Sequence, residues 1–521
     1  MANRYIVASV LVFWILQKPV SNALSAWPLD RRPNLLIIVA DDHAAWTLGS
    51  GGDPRRATPN LDALARQGTL FQRAYCNSPV CTPSRQSLIT GKLPHAIGVT
   101  QLATRLSDDV LTIAHWLRDR DYATIAIGKM HFNGPSSHGF DVRIDTPSWE
   151  RSLREHRPRG GDARRPWRPI LDPAREWLNS NALPMGLPAE SMQSTFFVDQ
   201  AIAFLKKKHD RPFAMIVSFY EPHSPFHFPD GWNQRFRASQ FGAFPISEED
   251  RRQQPEIFAA LSDQDVRGIQ TAYYTSLSFV DSRIGRLVEA LDQTGLSAAT
   301  LVVYVGDNGY MLGQHGRFEK HCFFEQAVRI PLIMRWPGHV DSGRRVTELV
   351  EMVDVMPTAL HLMHLPAPPG LEGIDLEPLL MNKAGAKGHE CVFSEYLENE
   401  EAMVRSARYK LIVCTGRRLR QDGYQTAELW RLPGPYMRLY DLVNDPEETN
   451  DLSQETSLAS IKDDLVRRMY ERMATTRAGL SPIPAGLSPL EAIHWCLIPR
   501  DRRETPPGMK ELSGPPARDS R

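Results

Sequence analysis

The sequence contains little cysteine, six residues in a chain of 521. So sparse a set excludes the small secreted folds that depend on a dense disulfide framework. A chain of this length can instead bury a large hydrophobic core, and we expect one major domain and a smaller one. A bridge between Cys391 and Cys414 remains possible from the sequence alone.

Net charge is also absent, because Lys+Arg and Asp+Glu both number 61. This balance excludes the basic composition typical of nucleic-acid-binding proteins, and we expect no nucleic-acid partner. Any attraction to an anionic substrate must come from local clusters. An arginine-rich stretch within residues 145–189 is expected to be irregular. It is either a solvated loop or an insertion that lines a cleft for such a substrate. Its arginines are Arg151, Arg154, Arg157, Arg159, Arg164, Arg165 and Arg168.

No apolar run is long enough to cross a bilayer comfortably, so we expect no stable membrane span. An uncharged segment over residues 6–16 follows Arg4 and has the length of the apolar region of a secretory signal peptide. Small residues ending at Ala23 predict cleavage there, which makes residues 1–23 a signal peptide. We therefore expect export, to the periplasm or the medium. A short membrane anchor is the alternative.

Short apolar runs alternate with helical periodicity through the first three quarters of the chain. The runs predict buried strands of a parallel sheet over residues 35–40, 124–127, 213–219, 301–305 and 331–334. The periodic segments predict helices over residues 61–67, 111–118, 195–207 and 266–291. This alternation predicts an α/β fold, a large and mostly parallel sheet sandwiched by helices, over residues 32–384.

The pattern changes near residue 385. Short alternating segments predict antiparallel strands over residues 391–396, 402–406, 409–413 and 439–442, with a tight turn at 406–409 and a helix over 461–475. Residues 385–476 are therefore expected to form a smaller C-terminal α+β subdomain with an antiparallel sheet. The proline-rich residues 477–521 predict an extended tail.

Polar side chains follow four of the predicted parallel strands. Because the carboxyl ends of parallel strands meet at one edge, where open α/β sheets place ligands, we expect these side chains to share a site. In chain order they are Asp41 with Asp42, Lys129 with His131, Glu221 with His223, and Asp307 with Asn308.

Four of these groups, Asp41, Asp42, Asp307 and Asn308, carry oxygen donors. Oxygen donors suit a hard cation such as Ca²⁺ or Mg²⁺ better than zinc. Helix capping is the alternative role, since Asp and Asn are common N-caps after strands. Two such pairs at one edge of the sheet favour a metal site.

Cys81 opens the run CTPSRQSLITG. Pro83 suits a first helical turn and Gly91 suits a helix exit, so the run predicts a short helix that begins at the cysteine. The helix N-terminus, with Arg85 beside it, favours an anion such as a thiolate or a bound sulfate or phosphate.

These motifs resemble the type I, formylglycine-dependent sulfatases of the alkaline-phosphatase-like superfamily. The resemblance extends over about residues 32–476 and is most specific at the cysteine run. It rests also on PNL at 33–35 leading to Asp41 and Asp42, TPNLDALA at 58–65, GKMH at 128–131, PHSPF at 222–226, and GDNG at 306–309.

The resemblance implies a nucleophile and a metal. A separate maturation enzyme would oxidise Cys81 to formylglycine, whose hydrate attacks the sulfur of a sulfate ester. An oxygen nucleophile also suits a hard, oxygen-rich metal set better than a thiolate does. One Ca²⁺ per chain, or Mg²⁺, would be held by Asp41, Asp42, modified Cys81, Asp307 and Asn308.

The resemblance also implies how charge and protons are handled. Lys129 and Arg85 would hold the aldehyde hydrate, and His131 would act as the base when sulfate is expelled. His223 and Lys320 would grip the sulfate, one of them protonating the leaving oxygen.

The implied enzyme is an arylsulfatase-type sulfuric ester hydrolase that releases an alcohol and inorganic sulfate. Export and the arginine-rich stretch favour a sulfated carbohydrate, although a small sulfate ester is also compatible. One alternative is a phosphoester or phosphonate monoester hydrolase of the same superfamily. Related phosphonate and phosphodiester hydrolases often carry histidine at the position of Asn308, so the asparagine favours sulfate. A non-catalytic sulfated-glycan binding protein is a further alternative, and the full set of candidate catalytic residues argues against it.

Overall fold

The computed structural model describes residues 32–156, 178, 183–259, 261–416, 435–477 and 480–498. The predicted signal peptide, residues 1–23, lies outside the described residues, as do residues 499–521 of the predicted tail. The same holds for part of the arginine-rich stretch, namely Arg157, Arg159, Arg164, Arg165 and Arg168.

Strands and helices alternate along most of the described chain. The strands are β1 (Asn34–Ala40), β2 (Thr69–Tyr75), β3 (Ala123–Gly128), β4 (Val142–Ile144), β5 (Phe213–Ser218), β6 (Thr300–Gly306), β7 (Arg329–Arg335), β8 (Arg344–Glu351), β9 (Val392–Tyr396), β10 (Glu401–Arg405), β11 (Tyr409–Cys414) and β12 (Tyr436–Asp441). The α-helices are α1 (Pro59–Arg66), α2 (Cys81–Thr90), α3 (Pro94–Ile97), α4 (Ile113–Arg118), α5 (Thr146–His156), α6 (Gln193–Leu205), α7 (Glu248–Gln253), α8 (Glu256–Ala259), α9 (Asp263–Gln293), α10 (Glu325–Val328), α11 (Val355–Leu362), α12 (Glu377–Leu380), α13 (Ala459–Thr475) and α14 (Pro489–Leu497).

The large sheet has eight strands in the order β4-β3-β5-β1-β6-β7-β2-β8. Its strands run parallel except β7, which is antiparallel to both β6 and β2. The predicted mostly parallel sheet is confirmed, but the prediction that 331–334 is a parallel strand is wrong. The chain stays at the carboxyl edge of the sheet from the end of β6 to α10, so β7 has to run back across the sheet. An apolar run indicates that a strand is buried on both faces, but it does not indicate whether the strand is parallel or antiparallel to its neighbours.

Both faces of this sheet are covered by helices. Successive side chains of β1 alternate between two hydrophobic cores, with Leu35, Ile37 and Val39 in one, and Leu36 and Ile38 in the other. The first core includes residues of α2, α4 and α11, and the second includes residues of α1, α6 and α9. This double coverage confirms the predicted sandwich and explains why the β1 sequence is apolar without interruption.

A separate four-stranded antiparallel sheet lies in the C-terminal region, in the order β12-β11-β10-β9. Ser406 N donates to Tyr409 O at 2.8 Å, as expected for the predicted tight turn. Helices α13 and α14 pack on this sheet around a third core. Residues 489–497 therefore depart from the predicted extended tail. Ser488 caps α14 and Pro489 stands in its first turn, two signals that start a helix.

None of the six cysteines forms a disulfide. The suggested bridge between Cys391 and Cys414 is not formed, because β10 separates β9 from β11. Strands two positions apart in a sheet are about 10 Å apart, beyond the reach of a disulfide. Among the described residues, no helix combines the length and apolarity that crossing a lipid bilayer requires.

His389 joins the connection between the two sheets to Asp354, with its Nε2 at 3.0 Å from both carboxylate oxygens. Burial opposes a charge on the ring, but Asp354 and Glu351 raise the pKa of His389 to about 9, above its ordinary value of 6.5. The stability that this pair contributes is therefore complete below about pH 6.5 and is lost as the pH rises through about 9.

We expect His389→Gln to lower the free energy of unfolding by about 1–2 kcal/mol near pH 6, and by much less near pH 10. Urea denaturation at the two pH values measures the difference. His361→Gln is the matched control, since it removes a more exposed histidine from an ion pair with Asp375. Equal losses for His389→Gln at both pH values would contradict the assignment.

Candidate active site

The carboxyl ends of the central strands bring the candidate residues to one edge of the sheet. Ala40 of β1 is paired with Gly306 of β6, so Asp41 and Asp307 leave the sheet side by side. Gly128 of β3 is likewise paired with Ser218 of β5, which places Lys129 beside the segment that leads to His223. The candidate residues from these four strands therefore lie at one edge, as the strand pattern predicts.

Cys81 is the first residue of α2, which ends at Thr90 and is followed by Gly91 in the left-handed conformation with φ 63°. The predicted short helix is therefore present. Every residue of α2 is buried, and Cys81 is 1% exposed. The helix thus presents its N-terminus to the interior of the site.

The thiol of Cys81 lies among charged side chains. Its Sγ donates to Asp41 Oδ1 at 3.2 Å, contacts Lys320 Nζ, and lies 3.9 Å from Lys129 Nζ. Burial raises the pKa of Cys81 well above its ordinary value, and Asp41 adds to this shift, outweighing both lysines. These shifts favour the protonated thiol over the thiolate that the helix N-terminus suggests. Desolvation and the nearby carboxylate have more effect than the helix end.

Asp41 is kept ionised by positive charge. Burial alone would raise the pKa of Asp41, but cationic neighbours, led by Lys129, hold it well below its usual range. Lys129 Nζ contacts Asp41 Oδ2 directly. Burial lowers the pKa of Lys129, but Asp41 reverses that effect and the net shift is upward.

Asp307 accepts hydrogen bonds from three donors. They are the backbone amides of Asp42 at 3.0 Å and Asn308 at 2.8 Å, and Arg85 Nε at 2.8 Å. Arg85 also donates to Lys129 O at 2.7 Å. Because Lys129 follows β3 and Asp307 follows β6, this guanidinium on α2 links the ends of the two strands. Burial raises the pKa of Asp307, to about 7, in spite of Arg85.

Asp42 Oδ2 and Asn308 Oδ1 are buried oxygens beside Cys81 and Asp307 that lack a hydrogen-bond donor among the described residues. Asn308 Nδ2 donates to Asp42 Oδ1 at 2.7 Å, which turns the amide oxygen away from that carboxylate oxygen. Ligand atoms of Asp41, Asp42, Cys81 and His223 all lie within 4.8 Å of one another. This cluster has the size and the free oxygen atoms that a bound cation requires.

His131 has a defined tautomer. Thr82 Oγ1 donates its single hydrogen to Leu102 O at 2.8 Å, so the 3.1 Å contact with His131 Nδ1 leaves the ring nitrogen as donor. Burial lowers the pKa of His131 well below its ordinary value, and Lys129 adds to the effect. The ring is therefore neutral, with a free lone pair on Nε2.

His223 and Lys320 approach the site from two loops. His223 Nδ1 donates to Ser224 O at 2.5 Å, and its Nε2 lies 3.8 Å from Asp42 Oδ2. Burial lowers the pKa of His223 despite Asp42. Lys320 Nζ lies 2.6 Å from Asp42 Oδ1. Burial opposes the charge on Lys320, but Asp42 and its neighbours raise the pKa of Lys320 well above its ordinary value.

A cleft with a volume of about 560 Å³ opens above Cys81. Lys129, His131, His223 and Lys320 line it together with Cys81. A further wall comes from α5, the start of α6 and the segment after β5, with lining residues Thr146, Trp149, Gln193, Tyr220 and Glu221. The sequence patterns give no role to this wall. Only Glu221, by its place after a predicted strand, carries a signal that could have indicated it.

The arginine-rich stretch departs from its prediction in the described part. Its first residues form the helix α5, where an irregular segment is expected. Arg151 and Arg154 lie exposed on α5, and neither belongs to the described residues that line the cleft. These two arginines therefore give no support to a role in holding an anionic substrate.

Comparison with known families decides the relationship. Residues 33–365 match the family model described as Sulfatase, and residues 313–475 match the model described as N-sulphoglucosamine sulphohydrolase, C-terminal. The chain belongs to the sulfatase family. This is the formylglycine-dependent sulfatase family of the alkaline-phosphatase-like superfamily, and this sulfatase is a sulfuric ester hydrolase.

Curated relatives of this sulfatase act on different esters. The chain is 28% identical over 418 residues to a choline-sulfatase of Rhizobium meliloti, covering 74% of this chain and 78% of that protein. It is 28% identical over 457 residues to an ulvan-active sulfatase of Formosa agariphila, covering 85% of this chain and 81% of that protein.

A solved structure shares the fold. The phosphonate monoester hydrolase of Agrobacterium radiobacter superposes with a TM-score of 0.71 at 23% identity, covering 85% of this chain and 96% of that one. The alkaline-phosphatase-like architecture of this sulfatase is therefore also that of an enzyme with another ester specificity.

Proposed function

We propose that this sulfatase hydrolyses sulfate monoesters of carbohydrates, using an oxygen nucleophile formed from Cys81 and a Ca²⁺ ion beside it. The observation that carries the proposal is the surroundings of Cys81. A buried, protonated thiol is a poor nucleophile, yet two lysines and Asp41 converge on it. Conversion to formylglycine by a maturation enzyme, with the aldehyde hydrated, would supply a nucleophilic hydroxyl that takes up the sulfate group.

The residues present fit a hard cation. Asp42 Oδ2 and Asn308 Oδ1 are buried oxygens without a donor among the described residues, and Asp41 and Asp307 add carboxylates to the same edge. These four residues, with modified Cys81, would hold Ca²⁺ or Mg²⁺. A bound cation supplies positive charge that neutralises the sulfate group.

The chain's own side chains handle charge and protons in this proposal. Lys129 and Arg85 stabilise the oxygen atoms at the position of Cys81, and Lys320 lies where it can reach a sulfate oxygen. His131 Nε2, free of a proton, accepts a proton when sulfate is expelled. Lys320, or His223 once its Nε2 is also protonated, donates a proton to the oxygen of the departing alcohol.

Three observations support a carbohydrate ester and action outside the cytoplasm. The cleft volume of about 560 Å³ leaves room for a group larger than sulfate. One relative is named for its activity on ulvan, although another is named for choline, so a small ester is the competing substrate. Residues 6–16 have the composition of a signal peptide, which suits a polymer-derived substrate in the periplasm or the medium.

Mass spectrometry of one tryptic peptide tests the nucleophile. Cleavage after Arg73 and Arg85 releases residues 74–85, which contain both Cys76 and Cys81. After co-expression with a formylglycine-generating enzyme and alkylation, we expect Cys76 to be alkylated and position 81 to carry an aldehyde. Cys76 is thus an internal control. An alkylated Cys81 in material that hydrolyses sulfate esters would overturn the proposed nucleophile.

The phosphonate hydrolase with the same fold supports a second candidate function. Turnover of 4-nitrophenyl sulfate and 4-nitrophenyl phosphate by the matured protein distinguishes the two. We expect the sulfate ester to be hydrolysed faster, and faster phosphate cleavage would favour the second candidate.

A further inference from the structure

The wall of the cleft contains a buried carboxyl group that the proposed chemistry does not use. Glu221 lines the cleft and is 3% exposed. Its Oε1 accepts a hydrogen bond from Ser194 Oγ at 3.0 Å. Its Oε2 has no partner among the described residues. A buried carboxyl oxygen without a donor is costly, so the fold retains an acceptor that a further molecule can satisfy.

The polar groups next to Glu221 are already satisfied by one another. Gln193 Nε2 donates to Thr146 Oγ1 at 3.0 Å, and Thr146 Oγ1 donates to Tyr220 Oη at 3.2 Å. These bonds join α5, α6 and the segment after β5 into one wall. The carboxyl group of Glu221 is therefore held in a fixed position within this wall by Ser194, near the start of α6.

The rest of the wall suits a ring-shaped substrate. Trp149 Nε1 donates to Ser191 O at 2.9 Å, so the indole is held in place at the cleft. Lys129 Nζ lies 4.9 Å from the centre of the Tyr220 ring, which places this wall next to the groups proposed to act on sulfate. A flat apolar side chain beside a buried acceptor is the combination that binds a sugar ring and one of its hydroxyl groups.

We infer that Glu221 is a specificity-determining residue that accepts a hydrogen bond from a hydroxyl group of the sugar bearing the sulfate. The inference rests on the proposed function and narrows its substrate to esters with a free hydroxyl near the sulfated carbon. Burial raises the pKa of Glu221 to about 7, so near neutral pH the group offers an acceptor oxygen in either protonation state. A site built around a substrate hydroxyl discriminates strongly against an analogue that lacks it.

The test compares Glu221→Gln and Glu221→Ala with the unchanged sulfatase on three kinds of substrate. They are a panel of monosulfated sugars, the monodeoxy analogues of the best of these, and the small esters 4-nitrophenyl sulfate and choline sulfate. We expect kcat/KM on the best sugar sulfate to fall about 10-fold in Glu221→Gln and up to about 100-fold in Glu221→Ala. Turnover of 4-nitrophenyl sulfate should change less than about 3-fold.

The deoxy analogues identify the contact. For the analogue that lacks the bound hydroxyl, the unchanged protein and Glu221→Ala should show the same kcat/KM. Ser194→Ala, which removes the side-chain hydrogen bond to the carboxyl group, should lower sugar turnover by an intermediate factor. Melting temperatures of all variants show whether each remains folded.

Several outcomes would overturn the inference. Equal losses on sugar sulfates and 4-nitrophenyl sulfate would assign Glu221 to catalysis or to folding. A loss confined to choline sulfate would assign it to a cationic alcohol. A panel with no hydrolysed sugar sulfate would also reject the inference, while turnover of 4-nitrophenyl sulfate would leave the proposed nucleophile and sulfate chemistry intact.

Discussion

Cys81→Ala is expected to abolish the hydrolysis of 4-nitrophenyl sulfate, with a loss of about 10⁴-fold or more. The substitution removes the atom on which the proposed nucleophile is built, which lies between Lys129 and Lys320. Initial rates at saturating and at low substrate measure kcat and kcat/KM separately. We expect kcat to fall, because the lost group acts on the reacting atoms.

The fold should tolerate this change. Cys81 is small, and alanine removes only the sulfur. Cys496→Ala is the matched control, since it removes another buried thiol on α14, far along the chain, and should leave activity unchanged. Melting temperatures close to that of the unchanged sulfatase would show that the loss of activity in Cys81→Ala is not caused by unfolding. Substantial activity in Cys81→Ala would exclude Cys81 as the source of the nucleophile.

Asp307→Ala is expected to affect both stability and activity. The substitution removes the acceptor for Arg85 Nε and for two backbone amides, and leaves Arg85 buried without that partner. Loss of one partner from a buried ion pair costs about 3–5 kcal/mol of unfolding free energy. Activity should fall more than about 100-fold, since the proposed cation also loses a ligand.

Asp307→Asn separates the two effects. The amide keeps the shape and one acceptor oxygen, so most stability should remain, while the cation binds more weakly. The measurement is the rise in melting temperature on adding Ca²⁺ after chelation, which we expect in the unchanged sulfatase and not in Asp307→Asn. Asp199→Ala, which removes a half-exposed partner of the half-exposed Arg286, should cost at most about 1 kcal/mol. A Ca²⁺ response in Asp307→Asn equal to that of the unchanged protein would remove Asp307 from the ligand set.

In the large sheet, the strands that sequence patterns predict are those buried on both faces. The segments that form β1, β3, β5 and β6 are almost uninterrupted apolar runs, because helices cover both sides of the sheet. The outer strands β2 and β8 are not identified by a search for uninterrupted apolar runs. β2 carries half-buried Gln72 and Arg73, and β8 begins with Arg344 and Arg345. Such strands depend on pairing partners distant in sequence, which no local pattern reveals.

The location of the site residues could be predicted from their positions after the central strands. Their protonation and hydrogen bonds, which depend on burial, could not. Asp41 and Asp307 could be placed together because each follows a central strand. The raised pKa of Cys81 could not be predicted from the sequence, since it results from burial and from Asp41, forty residues away. The hydrogen bond of Glu221 could not be predicted either, because its partner Ser194 lies 27 residues earlier on a different element. Electrostatic properties of this kind follow from packing, which is known only from the structure.

The pairing of β1 with β6 also determines when the protein can fold during synthesis. Each residue of β1, from Asn34 to Ala40, is paired with one of β6, from Thr300 to Gly306. A nascent chain cannot complete the centre of its sheet until residue 306 has left the ribosome, and such long-range pairing is slow to form. Until then one side of β1 has no partner strand, and Cys81 is not yet enclosed. Because the folded protein leaves Cys81 only 1% exposed, this interval is when the proposed maturation enzyme would have access to the thiol.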